Sequence, residues 1–176
     1  MNKKADLRET DMLRIARIVA AQSAAAAFVQ TEHDTQLSIE RGYIWLINMI
    51  EFGMNLTSQK FDIDIAANTV ECNQFQVTRE SQSAIINLND TAMICNHQEQ
   101  LVRSPAIGTD AGPLYFQGQS PIRIYFPIPY PYAGQNIYFS FDSSRGSALT
   151  VVARIFYTVK NVSDKYFFRV AQSLLS

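Results

Sequence analysis

The chain has 176 residues, 47% hydrophobic and 18% charged, with 15 Lys and Arg against 16 Asp and Glu for a net charge of −1. That length holds one domain, and that composition excludes a disordered chain. Near-neutral charge supplies no global field to draw in nucleic acid or an anionic membrane, so neither is expected as a partner.

At the N-terminus, Met12, Ile15 and Val19, followed by Ala26 and Ala27, recur with helical spacing, while charged residues stop at Arg17. A helix is predicted from Thr10 to about Gln30, capped by Thr10 or Asp11 and about 30 Å long. Ala20, Ala21 and Ala24 to Ala27 make its second half slim enough to pack closely on another backbone, in its own domain or between subunits. A signal peptide is not expected, because Asp6, Arg8, Glu9, Asp11, Arg14 and Arg17 interrupt the approach from Lys3 and Lys4 to the apolar stretch Ile18 to Val29. No apolar run reaches the roughly 18 residues of a membrane span.

Beyond a polar link, Thr31 to Ser38, the period changes to two. Tyr43 to Phe52 is a near-continuous apolar run containing Trp45, predicted to be a strand buried on both faces, with a short buried helix as the alternative. Phe61, Ile63 and Ile65 alternate with Asp62 and Asp64, the cleanest strand signal of the first half. Val70 to Val77 and Ala84 to Leu88 are shorter strand candidates, and Ala92 to Val102 fits either element.

The second half alternates more strongly. Ile122, Ile124, Phe126 and Ile128 form one strand face, Ile137, Phe139 and Phe141 another, and Leu149, Val151, Ala153, Ile155 and Tyr157 a third. Turn clusters at 132–134 and 143–146 join them, which implies antiparallel pairing. Pro127, Pro129 and Pro131 remove amides at alternate positions, so their segment lies at a sheet edge or leaves the sheet as a polyproline-like arm. The predicted fold is mainly β, an antiparallel sandwich or jelly roll of about seven or eight strands behind the N-terminal helix. The chain divides into a helical arm and link over 1–38, a sandwich over 39–160 and an apolar tail over 161–176 that includes Phe167, Val170 and Leu174.

Chemistry is sparse. The chain contains no G-x-S-x-G elbow, phosphate-binding glycine loop, H-E-x-x-H or C-x-x-C. Cys72 and Cys95 read as buried thiols, and His33 between Glu32 and Asp34 as a solvated loop residue. A hydrolase would require Asp62, Asp64 and a third acid such as Glu71 to converge, whereas alternation alone already demands polar residues at 62 and 64. No catalytic residue, metal or cofactor is assigned.

The irregular stretch from Arg103 to Ser120 carries the apolar patch Leu114, Tyr115 and Phe116. Between Ser104 and Ala153 only Asp110, Arg123, Asp142 and Arg145 are charged, amid many aromatics and amides, the composition of a buried protein interface. With the edge sequence FPIPYPY over 126–132, the N-terminal arm and the apolar tail, this layout resembles the virion structural proteins of bacteriophages and other jelly-roll viruses. The resemblance is architectural, rests on no diagnostic motif and carries over no functional residues. It implies a non-enzymatic particle component, such as capsid, decoration, vertex or collar, located in the virion after assembly in host cytoplasm. Its partners would be copies of itself and other virion proteins. Expected assembly contacts are Met12, Ile15, Val19, Ala24, Ala27, Leu114, Tyr115, Phe116, Tyr130, Tyr132 and Phe167. The alternative is a carbohydrate- or receptor-binding module of a fibre or appendage, presenting Tyr115, Tyr130 or Tyr132 to a sugar.

Overall fold

The computed structural model describes residues 12–37, 42–54, 69–104, 112–117, 122–146 and 148–162. Nine strands occur among them: β1 (Arg14–Ala21), β2 (Val29–Asp34), β3 (Tyr43–Met54), β4 (Val70–Thr78), β5 (Met93–Arg103), β6 (Leu114–Gln117), β7 (Ile122–Tyr132), β8 (Asn136–Ser143) and β9 (Thr150–Asn161). They form a four-stranded sheet ordered β1-β9-β3-β7 and a five-stranded sheet ordered β2-β8-β4-β5-β6, with every pairing antiparallel.

The order follows from one long hairpin rolled on itself. Strand β1 pairs with β9, β2 with β8, β3 with β7 and β4 with β5, as nested partners. Rolling that ribbon brings β9 beside β3 and β8 beside β4, which closes the two sheets. This is the eight-stranded jelly-roll topology, with β6 added on the outside of β5.

Alternation then fills the space between the sheets. Trp45, Ile47, Ile50 and Phe52 point inward from β3, Ile137, Phe139 and Phe141 from β8, and Val151, Ala153 and Ile155 from β9. Phe52 bridges the layers, with its ring 5.4 Å from Phe75 and 5.7 Å from Phe139 on the facing sheet. The predicted strand β3 is central, between β9 and β7; those four inward residues are buried, while its outer face mixes buried Ile44 and Glu51 with half-buried Leu46 and Met49.

Among the described residues the expected N-terminal helix is not present. Residues 14–21 are β1 and residues 29–34 are β2, one in each sheet, so the described part of the supposed arm belongs to the sandwich. Ala16, Ile18 and Ala20 alternate inward, and all eight residues of β1 pair with β9. That ladder outweighs the helix propensity of alanine. The alanine run is a turn with Ala26 at φ 50. Gln22 fastens it: its amide donates to the Ala27 carbonyl and its side-chain oxygen accepts from Leu149 N at 3.0 Å.

Two other expectations change. Ala84 to Leu88 is loop rather than strand, folded over the five-stranded sheet. His33 sits in β2 opposite Ile137, half-buried and 6.1 Å from the Trp45 ring, not in a solvated loop. The strand expected over Phe61 to Ile65 lies outside the described residues. The prolines do mark an edge: β7 borders its sheet, and Phe126 to Pro129 bulge out of the ladder opposite Asn48 before pairing resumes at Tyr130.

Candidate functional site

Among the described residues the titratable groups are divided between the core and the sheet faces. Glu71, which a hydrolase would need, points inward, is buried, and lies 4.0 Å from Arg145 Nε. Asn73, Glu99, Ser143 and Arg145 are buried with it, and Ser143 Oγ donates to Asn73 Oδ1 at 2.6 Å. Asp62 and Asp64 lie outside the described residues. Both cysteines are free thiols, and burial pushes Cys95 up to about 12 and raises Cys72 as well, so neither is an activated nucleophile. Among the described residues no three His, Cys, Asp or Glu side chains gather where they would hold a metal ion.

The expected contact residues separate into distinct places. Met12 and Ile15 are each 57% exposed, and Val19 lies exposed beyond them. Leu13 is also exposed, and Ile15, Arg17 and Val19 alternate outward along β1, whose far edge has no ladder partner among the described residues and receives one bond from β2, Thr31 Oγ1 to the Val19 carbonyl at 2.9 Å. Ala24 and Ala27 lie in the following turn, the first exposed and the second half-buried. Tyr115 is exposed on the edge strand β6, which also contains Leu114 and Phe116. Tyr130 is half-buried at the re-entry of β7 into its ladder. Tyr132 is not a surface residue: it is 1% exposed, in the core, and its hydroxyl donates to the Asn136 carbonyl. Phe167 lies outside the described residues.

Sequence reasoning missed Ile128, the most exposed large apolar side chain described, at 83%. Its signal was present, because an isoleucine between Pro127 and Pro129 sits in a segment that cannot pair and so cannot be covered by a neighbouring strand.

The two outer sheet faces differ in chemistry. On the β1-β9-β3-β7 sheet, Glu51 is held between Arg123 of β7 (Nε to Oε2, 2.8 Å) and Arg154 of β9 (Nη1 to Oε1, 3.0 Å). On the other sheet carboxamides dominate. Gln76 bonds the Ile86 carbonyl and amide at 2.7 and 3.0 Å, and Gln30 bonds Ser81 and Gln82, so two glutamines tie the loop between β4 and β5 across the sheet. Under that loop lies an open cavity of about 350 Å³ whose lining includes Gln74, Gln76, Asn87, Asn96, Gln98 and His97, with no Asp, Glu, Lys or Arg.

Fold and surfaces together define the class as a two-sheet antiparallel jelly roll with one buried polar cluster and chemically distinct outer faces. No family model matches the chain. No curated protein matches it. Among solved structures it is similar to VP1 of the Trichodysplasia spinulosa-associated polyomavirus, at 6% identity over 87% of this chain and 97% of that one, with a TM-score of 0.46.

Proposed function

We propose that this chain is a non-enzymatic structural subunit of a virus particle, assembling with copies of itself through the borders of its four-stranded sheet. The observation that carries the reading is the β1 border, where Met12, Leu13, Ile15 and Val19 are exposed on a segment with no ladder partner on its far side among the described residues. Long apolar edges are normally blunted or covered in monomeric proteins. The opposite border is β7, with Ile128 exposed and Pro127 and Pro129 blocking a ladder. Contact between β1 of one copy and β7 of the next would therefore be side-chain packing, head to tail, the geometry that closes rings and shells. Jelly rolls supply shells in this way and also serve as lectins, so the topology admits the role without specifying it.

The test is solution mass by light scattering. Truncating the N-terminus would strip a sheet strand, so the informative variant is Leu13→Lys with Ile15→Lys. The intact chain is expected to form an oligomer, and the variant a monomer with an unchanged circular dichroism spectrum. An intact chain that stays monomeric at every concentration sinks edge-driven self-assembly.

A second reading, carbohydrate binding, is favoured by the amide-lined cavity. Carboxamides both donate and accept, as sugar hydroxyls require, and a lining without Asp, Glu, Lys or Arg suits neutral ligands. Gln98→Ala is expected to abolish the chemical-shift changes that neutral oligosaccharides produce at Asn87 and Asn96. Absence of such changes in the intact chain removes this reading.

A further inference from the structure

The outer face of the β1-β9-β3-β7 sheet carries a charge pattern that starts at the β1 border, where Arg17 lies between Ile15 and Val19, and runs across to β7. In register, Arg17 stands opposite Arg154, Arg154 opposite Glu51, and Glu51 opposite Arg123. One row across all four strands therefore holds three guanidiniums and one carboxylate, a net charge of +2. The row is about 14 Å wide at the usual strand spacing. Among the described residues Glu51 is the one acid on this face, and Lys160 of β9 adds a further cation opposite Ile44.

The geometry shows what each charge is available for. The Glu51 side chain is only 11% exposed and uses one oxygen on each neighbour, whereas Arg123 and Arg154 are 50% and 55% exposed. The carboxylate thus orients two guanidiniums that remain open to solvent. Arg17 is exposed and makes no ion pair among the described residues. Like charges directly opposite on neighbouring strands destabilise a sheet, so the Arg17 and Arg154 pair gains from an anion placed between them.

The adjacent row, two residues along each strand and roughly 7 Å away, consists of Ile15, Phe156, Met49 and Tyr125. Tyr125 is exposed and Phe156 half-buried. A basic row beside an aromatic one is what unpaired nucleotides require, since phosphates need cations while bases stack on rings.

We propose that this face binds a single-stranded nucleic acid, with phosphates along Arg17, Arg154 and Arg123 and bases stacked on Phe156 and Tyr125. A duplex hides its base faces, and a plain sheet face presents no helix or ribbon to enter a groove. An acidic peptide would use the arginines and leave the aromatic row without a role. A second copy packed face to face would bring two rows of +2 together.

The net charge of −1 conceals the site because Arg17, Glu51, Arg123 and Arg154 lie far apart in the chain. The site does not depend on assembly, so a chain that proved monomeric would still carry it.

The experiment is fluorescence anisotropy of a labelled single-stranded oligonucleotide of about 16 nucleotides with the full chain, at rising salt. Binding is expected, with log affinity falling against log salt at a slope of about −2 for three neutralised phosphates. Arg17→Glu with Arg123→Glu is expected to flatten that slope by about 1.4. Tyr125→Ala is expected to weaken binding about 5- to 150-fold and leave the slope unchanged. All three substitutions are at exposed positions, and thermal melts confirm that each variant is folded. The proposal is overturned if the intact chain does not bind, if the variants bind as it does, or if polyglutamate or a duplex binds as tightly as the single strand.

Discussion

Phe52→Ala is expected to lower the unfolding free energy by about 3–5 kcal/mol, the usual cost of removing a large ring from a packed core. The ring is fully buried and meets Phe75 and Phe139 at 5.4 and 5.7 Å, so the void would open between the sheets, where neither can collapse without breaking its own ladder. Phe75 also packs on Phe141 at 5.0 Å, so the loss reaches a second strand pair. Domains of this size are stable by roughly 5–15 kcal/mol, which makes this one substitution a large fraction of the total. Urea unfolding measures it, with Tyr125→Ala as the control. That exposed aromatic should cost no more than about 0.5 kcal/mol. Equal costs at the two positions would contradict the face-to-face packing of the sheets.

Strands in the second half were legible because each keeps large apolar residues on one face. Ile137, Phe139 and Phe141 are all core, as their spacing requires. The N-terminal segment misled because its inward residues on β1 include Ala16 and Ala20, whose small side chains carry no strand signal. Met12, Ile15 and Val19, which do stand out, are exposed. Helical spacing among exposed residues is accidental when a distant strand decides the pairing, and β9 is more than a hundred residues away. The amide surface left a trace in the sequence, as Gln74 and Gln76 alternate with the core residues Phe75 and Val77. What covers that surface left none, because the loop is fixed by long side chains whose partners cannot be read locally. In the sequence Glu51 is simply the one charged residue within the run from Tyr43 to Phe52. Only the register of β3 with β7 and β9 shows it to be the centre of a charged row.

Tyr132 shows the same limit most clearly, and its setting yields a further expected result. From sequence it is one tyrosine of an aromatic edge. In the fold it lies at the corner where the chain leaves β7 in one sheet and enters β8 in the other. There its hydroxyl bonds the Asn136 carbonyl across the turn, and Thr35 Oγ1 lies 2.9 and 2.8 Å from the Gly134 and Gln135 carbonyls, donating to them. The Thr35 amide adds a bond to the Gln135 carbonyl at 2.9 Å. Glycine is required at 134 for space, because a Cβ there would overlap the hydroxyl and ring of Tyr132. The ring is buried and the turn is pinned from β2, so neither side yields easily. Gly134→Ala is therefore expected to destabilise by roughly 1–3 kcal/mol, as overpacking does. Tyr132→Phe removes the hydroxyl that the new methyl would strike but also its bond, which costs about 1 kcal/mol on its own. The double variant should consequently lose less than the sum of the singles, by at least about 0.5 kcal/mol of coupling in a cycle of urea melts. Strict additivity would mean that the corner relaxes around the methyl. The junction between the sheets would then be held by Thr35 and the β2 contacts, with the tyrosine incidental.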